Sequence, residues 1–261
     1  MTEAVHSQVV DSVLVVTLDR PSANAIDVAT SLALYDAFAR LEREAELRVG
    51  IVTGAGDRFF SAGWDLKAAA AGEAVDADHG PGGFAGLTEL WGRTKPVVAA
   101  VNGLALGGGL ELALAADLMV VADHAELALP EVRVGVVADS GGLLRLPRRL
   151  PEPIARELLL TGRRMSAAEA ARWGLANRVV PGAELLDAAL DLAREIVAGA
   201  PLAVAAVQEV LSATAGLDVA DGFTLMRSGQ LGAYSRMLSS QDALEGPRAF
   251  AEKRPPQWQG R

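Results

Sequence analysis

The sequence predicts an α/β fold, in which a layered core of sheet and helices is followed by a helical C-terminal region. Up to about Arg148, short runs of β-branched residues alternate with segments whose apolar residues recur at helical spacing. Such alternation implies a layered core with crossover connections between strands. After Arg148 the pattern is almost wholly helical. We therefore expect two regions, a core of residues 1–195 and a helical region of residues 196–261.

The predicted strands are short apolar runs rich in valine, leucine and isoleucine, a composition that favours buried strands. Four of them precede Arg148, and a fifth interrupts the helical pattern that follows it. Their ranges are Val13–Leu18, 49–53, Val97–Val101, 118–121 and 177–180.

The predicted helices begin with a long amphipathic one. Asp27 is suited to cap it, and Leu34, Phe38 and Leu41 recur along one face. A second helix is expected to open near Gly108. Residues 71–83 (AGEAVDADHGPGG) are rich in glycine, proline and aspartate and predict a surface loop. Further helical patterns cover residues 154–160, 167–173, 183–196, 202–211 and 243–251.

The composition is that of a globular protein near the upper size for one core, with 261 residues, 51% of them apolar and 22% charged. The formal net charge is −9, and no basic cluster occurs. Proteins that bind nucleic acid need a basic face to neutralise phosphates, so we expect no nucleic-acid partner. An acidic total still permits an anionic small ligand, because a few local donors decide its binding.

The chain has no cysteine, which excludes disulfides, thiolate nucleophiles and cysteine metal sites, and we expect a cytoplasmic protein. The beginning, MTEAVHSQ, lacks the features of a signal peptide. The stretch that most resembles a membrane span, residues 97–122, contains Asn102, Glu111 and Asp117. Because carboxylates are costly at mid-bilayer, we expect no membrane association.

Motifs typical of dinucleotide-binding enzymes and of serine hydrolases are present only in part. Gly54-Ala-Gly56 follows a predicted strand, as a dinucleotide-binding loop would, but Phe59 stands where the third glycine is required. Ser140 lies in an Asp-Ser-Gly-Gly sequence, but a serine mechanism also needs a positioned histidine. The three histidines, which we expect to be separate surface residues, are His6, His79 and His124. They predict neither a serine hydrolase nor a metal site.

The strongest chemical signal lies in residues 59–67 and 95–135. Gly107-Gly108-Gly109 precedes an apolar helix, where glycines let the backbone approach a ligand closely. The free N–H groups of a helix N-terminus favour an oxygen that becomes an anion. Glu111 follows, and its carboxylate is costly to bury unless it faces a cavity or a partner. The alternative is a first-turn glutamate that only favours the helix dipole.

Glu131 follows Pro130, and such a pair is also common at the start of a helix. Its interpretation depends on the combination with Glu111. Two glutamates with two backbone donors form a complete set for proton transfer beside a thioester.

These segments resemble the signatures of the crotonase (enoyl-CoA hydratase/isomerase) family. The likeness extends over nearly the whole chain, including residues 144–148 and 250–254. It implies a crotonase-like fold whose helical C-terminal region takes part in oligomerisation. It also implies that the backbone N–H groups of Trp64 and Gly108 form an oxyanion hole. Glutamates at the positions of Glu111 and Glu131 would handle water and the α-proton of an acyl-CoA, which favours a hydratase or dehydratase over an isomerase.

The resemblance further implies a set of substrate-binding positions, namely Ala62, Gly63, Asp65, Leu66, Lys67, Gly107, Asp139 and Lys253. Lys67 and Lys253 would meet the CoA phosphates, with solvated surface lysines as the alternative. CoA enters as part of the substrate, so neither a separate cofactor nor a metal is implied. The family's assemblies imply a homotrimer, or a hexamer built of two trimers.

Three segments resemble a subfamily whose acyl group carries a trimethylammonium, and they comprise residues 61–70, 76–89 and 139–142. Such a cation requires a carboxylate or an aromatic face. Candidate residues are Asp139, Trp64, Phe84 and Trp91.

The sequence leaves alternatives open. Asp139 is also suited to cap a helix that starts at Ser140. A general short-chain enoyl-CoA hydratase of fatty-acid β-oxidation would share the catalytic residues. A non-catalytic CoA-binding protein would be expected to lack one glutamate or an oxyanion-hole glycine, and this chain lacks neither.

Overall fold

The computed structural model describes residues 4–74 and 76–261. The chain divides into two compact units. The first contains the residues up to Trp91 together with Val97–Ala193, and the second contains Gly92–Pro96 together with Arg194–Arg261. The interpretation of residues 1–195 and 196–261 as separate domains stays a prediction.

The strands are short. In chain order they are β1 (Val5–Val10), β2 (Val13–Leu18), β3 (Ala25–Ile26), β4 (Val49–Gly54), β5 (Phe59–Ser61), β6 (Gly63–Trp64), β7 (Val97–Val101), β8 (Leu104–Leu106), β9 (Leu118–Ala122), β10 (Glu126–Ala128), β11 (Met165–Ser166) and β12 (Arg178–Val180).

The helices, in chain order, are α1 (Val28–Arg43), α2 (Leu66–Ala70), α3 (Gly108–Ala115), α4 (Gly142–Arg149), α5 (Glu152–Thr161), α6 (Ala167–Arg172), α7 (Leu185–Val197), α8 (Pro201–Ala213), α9 (Val219–Arg227), α10 (Gly232–Leu238) and α11 (Gln241–Glu252). Short 3-10 turns at Phe84–Gly86 and Glu131–Arg133 also contribute to the site described below.

The first unit is built on a six-stranded sheet with the order β1-β2-β4-β7-β9-β12. Only β1 runs antiparallel to its neighbour, and the other pairs are parallel. The valine-rich strands β2, β4, β7 and β9 are almost completely buried, as expected for strands covered on both faces. A four-stranded sheet, β11-β10-β8-β5, and the pair β3-β6 complete this unit. The predicted α/β class and the five predicted strands are confirmed.

Strand β1 was not expected from the sequence. Its side chains are mostly exposed, because it pairs with β2 at the edge of the sheet, so it lacks a long apolar run. His6, expected as a surface residue, is exposed and lies on this strand, where it pairs with Thr17 in the β1-β2 ladder.

Helix α1 forms as predicted. The Asp27 side chain accepts a hydrogen bond from the Thr30 N–H and caps the helix, and Leu34, Phe38 and Leu41 are buried. The described residues of the loop predicted over 71–83 form no regular element, as expected. Residue 75 of that loop lies outside the described residues.

The second unit contains the end of α7 and helices α8 to α11. Asp218 caps α9 and Ser240 caps α11, each by accepting a backbone N–H. Helices α9 and α10 were not predicted, because their sequences mix exposed apolar residues with glycine and serine. Within the described chain, no single helix is long and apolar enough to cross a membrane. Two helical segments joined by a sharp bend, Gly182–Val197 and Pro201–Ala213, together have the length and apolar composition of a membrane span, and length and composition are the only features that suggest one.

Candidate active site

A cavity of about 360 Å3 lies in the first unit, at the lower end of the range typical of small-molecule sites. It is bordered by β6, the first turn of α3, the loop before Phe84–Gly86, and the segment from Glu131 to Ser140. The lining residues are Trp64, Asp76, Ala77, Asp78, His79, Gly80, Gly83, Phe84, Glu89, Gly108, Glu111, Glu131, Val136, Val137, Asp139 and Ser140. The two predicted oxyanion-hole residues and both predicted catalytic glutamates are therefore brought together.

The backbone of Trp64 is oriented by strand pairing. Asp65 donates its N–H to the Ile26 carbonyl at 2.9 Å, and consecutive N–H groups of an extended strand point in opposite directions. The N–H of Trp64 therefore faces away from β3. The side chain is also held, because the indole Nε1–H donates to Glu73 Oε1 at 3.1 Å.

The second backbone donor belongs to Gly108, the first residue of α3. The N–H groups of a helix's first turn have no acceptor within the helix, and the helix dipole adds positive charge there. A Cβ placed on Gly63 would lie 2.6 Å from the Gly108 nitrogen, so the strand that carries Trp64 passes directly beside this helix terminus. The two residues whose backbone N–H groups are predicted to form the oxyanion hole thus lie side by side and line the same cavity.

Any side chain at position 108 would displace the Phe84 ring. A Cβ there would lie 2.4 Å from Cε1 of Phe84, so the aromatic ring lies directly against the helix terminus. The ring is itself buried. It therefore covers the first turn of α3 with an apolar surface.

Glu111 lies on the first turn of α3 and is only 3% exposed. Its Oε1 accepts the Gly142 N–H at 2.8 Å. The pKa of Glu111 is raised to about 8, mainly by burial; the charges of Glu131 and Asp139 act in the same direction, and the Gly142 hydrogen bond and the charge of Arg145 only partly offset them. At pH 7 the carboxyl is mostly protonated. Since Oε1 is occupied as an acceptor, the proton belongs on Oε2.

Glu131 opens a 3-10 turn directly after Pro130. Both carboxylate oxygens are buried, and neither has a hydrogen-bond partner in the described chain. Burial, assisted by the charge of Asp139, raises the pKa of Glu131. A buried carboxylate without partners is costly and is expected where a ligand or proton transfer requires it.

Asp139 lies exposed on the border of the cavity. The alternative that it caps a helix starting at Ser140 is wrong. Helix α4 begins at Gly142, its capping residue is Gly141, and no side chain caps it. Asp139 is instead close enough to raise the pKa of Glu111 and of Glu131 through its charge.

The remaining predicted substrate-binding residues of this unit do not line the cavity, and they are Ala62, Gly63, Asp65, Leu66, Lys67 and Gly107. The Asp65 carboxylate caps α2 and pairs with Arg20 at 2.6 Å. Lys67 is exposed, which fits either a phosphate contact or a solvated lysine. Lys253 belongs to the second unit, where it ends α11 and is exposed. Their roles in binding stay predictions.

The sequence-based interpretation missed one wall of the cavity. His79, expected as a surface residue, is half-buried and lines the cavity, and Glu89 lies nearby on the same wall. Phe84 was proposed for the cation and does line the cavity, whereas Trp91, also proposed, does not. The available signal was the clustering of carboxylates, histidine and aromatic residues between residues 76 and 89.

Metal ligation has no support in the described residues, because they contain no group of three or more histidine and carboxylate side chains that could hold an ion. Proton transfer does not depend on such a group, since two carboxyls with different pKa values can act as acid and base.

Comparisons with known proteins agree with this geometry. The family model described as enoyl-CoA hydratase/isomerase matches residues 8–261. The chain is 59% identical to a carnitinyl-CoA dehydratase of Proteus mirabilis over 261 residues, which cover all of both chains. Among solved structures, an enoyl-CoA hydratase from Mycobacterium tuberculosis is 44% identical with a TM-score of 0.90, covering 99% of each chain. A carnitinyl-CoA hydratase from Mycobacterium avium is 42% identical with a TM-score of 0.77, covering each chain fully. The chain belongs to the enoyl-CoA hydratase/isomerase (crotonase) family.

Proposed function

We propose that this protein is a carnitinyl-CoA dehydratase, which reversibly removes water across the α–β bond of carnitinyl-CoA to form crotonobetainyl-CoA by syn elimination. One observation carries the proposal. Two buried carboxyls, Glu111 and Glu131, face one cavity with two backbone donors, and Glu111 has a pKa near neutrality. The names of relatives that are 59% and 42% identical over full length support the substrate.

The thioester carbonyl is proposed to accept hydrogen bonds from the N–H groups of Trp64 and Gly108. Negative charge develops on this oxygen when the α-proton leaves, so donors aimed at it stabilise the transition state more than the substrate. Removing one such donor in other enzymes costs roughly a hundred- to a thousandfold in rate. The Phe84 ring, packed on Gly108, would keep water from these donors.

In the dehydration direction, Glu131 takes the α-proton and Glu111 protonates the departing β-hydroxyl. The electrons of the α C–H bond form the double bond, the β C–O bond breaks, and water leaves. The pKa shifts suit these roles. Glu111 carries a proton at neutral pH on the oxygen that Gly142 leaves free, and the unpartnered oxygens of Glu131 are available as base. Hydration reverses each step.

The lining of the cavity supports a cationic acyl group. Of its described residues, six are carboxylic acids, one is histidine, and none is lysine or arginine. A trimethylammonium group cannot donate an N–H hydrogen bond, so it must be held by charge and by aromatic faces. Trp64 and Phe84 supply such faces, and Asp139 and Glu89 supply exposed carboxylates. A neutral acyl chain would gain nothing from this charge.

Further parts of the proposal follow from the family resemblance. CoA enters as part of the substrate, with no separate cofactor. Lys67 and Lys253 are proposed to contact its phosphates. The active form is proposed to be a homotrimer or a hexamer in the cytoplasm.

A second candidate is a general short-chain enoyl-CoA hydratase. The likeness to the Mycobacterium tuberculosis enoyl-CoA hydratase favours it, and the catalytic residues would be the same. The deciding experiment is kcat/KM for hydration of crotonobetainyl-CoA against crotonyl-CoA. At least a tenfold preference for crotonobetainyl-CoA is expected. A preference for crotonyl-CoA would establish the second candidate, and inactivity on both would reject both.

A further inference from the structure

We propose that His79 is a positioning residue, which holds the Phe84 ring against the oxyanion-hole residue Gly108. The proposal depends on the hydratase chemistry proposed above, but not on which acyl group the enzyme prefers. His79 would act through Phe84 and not as an acid or base.

His79 is tied to helix α1 by a partly buried hydrogen bond. Its Nδ1 lies 2.8 Å from Oγ of Ser31, a residue that is completely buried on the first turn of α1. A hydroxyl both donates and accepts, so this bond forms with either tautomer of the neutral ring. A buried polar side chain that reaches into a loop restricts that loop, because breaking the bond would leave the hydroxyl without this partner.

The same hydroxyl holds the start of the next segment. Ser31 Oγ accepts the N–H of Ala85 at 3.0 Å. Ala85 has φ of 55°, which is uncommon for a residue with a Cβ. Such backbone strain persists only where the surroundings hold it, and it concentrates at functional sites. Ser31 therefore fixes the residues on both sides of Phe84, with His79 on one side and Ala85 on the other.

The imidazole and the Phe84 ring form an edge-to-face pair, with 5.1 Å between centroids and 67° between planes. This arrangement is favourable for two rings. The other end of Phe84 is held as well, because Thr88 Oγ1 donates to the Phe84 carbonyl at 2.8 Å. The Phe84 ring then lies on Gly108. A continuous set of contacts runs from Ser31 through His79 and Phe84 to Gly108.

The expected consequence concerns the turnover step more than binding. If His79 is truncated, Phe84 loses the ring that orients it, and water gains access to the Gly108 N–H. A donor that is solvated before the reaction stabilises the developing oxyanion less. Displacements of about 1 Å near reacting groups cost on the order of a hundredfold. We therefore expect His79→Ala to lower kcat by roughly ten- to a hundredfold, with KM within about threefold.

Two partial variants separate the contacts of His79. His79→Asn keeps a polar atom near the Nδ1 position but removes the ring, and His79→Phe keeps a ring but removes the hydrogen bond. Each is expected to recover part of the activity that His79→Ala loses. The matched control is His6→Ala, because His6 is exposed on β1 and does not line the cavity. Its kcat is expected to equal that of wild type.

The measurements are kcat and KM on crotonobetainyl-CoA and crotonyl-CoA, the melting temperature, and calorimetric binding of butyryl-CoA, a saturated thioester that cannot react. Butyryl-CoA is expected to bind His79→Ala about two- to threefold more weakly than wild type, in line with the small change expected in KM. Unchanged kcat in His79→Ala with an unchanged melting temperature would overturn the proposal. If His79→Ala is unstable, wild-type kcat in both His79→Asn and His79→Phe would overturn it instead. If the wild type is inactive on both thioesters, the proposed function is refuted but the role of His79 is not. That role is then decided by butyryl-CoA, and equal binding to wild type and His79→Ala would overturn it.

Discussion

Replacing Glu111 with glutamine is expected to abolish most activity and, at neutral pH, to stabilise the fold. The carboxyl is buried with one hydrogen-bond donor, the Gly142 N–H, and burial raises its pKa to about 8. Glutamine keeps the size and the acceptor oxygen but carries no ionisable proton. The variant therefore loses the proposed acid, and at neutral pH it also avoids the cost of keeping a proton on a buried carboxyl that the unfolded state would release.

The magnitude follows from proton linkage. Between the ordinary pKa of 4.5 and the folded pKa of about 8, the folded state keeps a proton on Glu111 that the unfolded state has released. The free energy of unfolding therefore falls as pH rises through this window, by up to about 1.4 kcal/mol per pH unit. From pH 5 to pH 7 this amounts to roughly 3 kcal/mol. Glu111→Gln lacks this dependence and should be the more stable protein at pH 7.

The assay is urea unfolding of wild type and Glu111→Gln at pH 5, 6 and 7, with kcat measured on crotonobetainyl-CoA in parallel. The matched control is Glu46→Gln, which alters an exposed glutamate and should follow the wild-type curve. Because the charge of Glu131 also raises the pKa of Glu111, the difference between the pH slopes of wild type and Glu111→Gln reports the titration of Glu111 together with its coupling to Glu131. Parallel slopes would show that Glu111 does not titrate with a raised pKa, and near-wild-type kcat would remove it from the mechanism.

Three further predictions concern the proposed base, the substrate and the assembly. Glu131→Gln should lower kcat by at least a hundredfold without unfolding the protein, since both oxygens lack partners in the described chain, and circular dichroism checks the fold. Asp139→Asn should lower kcat/KM for carnitinyl-CoA roughly three- to tenfold relative to crotonyl-CoA, because an exposed ion pair contributes little. An equal fall on both substrates, or the same effect from the exposed control Asp123→Asn, would contradict this role. Light scattering at micromolar concentration should show a homotrimer or a hexamer, and a stable monomer would refute that assembly.

The sequence was sufficient for the elements that depend on local patterns. The valine-rich strands and the Asp27-capped helix were predicted because burial on both faces and capping leave short-range signatures. Strand β1 was missed because an edge strand need not be apolar. Asp139 was an ambiguous case, since only the position of α4, which begins at Gly142, excludes the cap.

The sequence alone predicted the fold class, the family resemblance and the two candidate glutamates, because glycines before an apolar helix with an internal carboxylate form a local and unusual pattern. Only the tertiary structure decided how these residues act together. The pKa of Glu111 depends on burial and on charges from Glu131 and Asp139, which are distant in the chain. The position of His79 depends on a hydroxyl 48 residues earlier. Distances between such residues arise from packing, and packing is a property of the whole fold that no local pattern records.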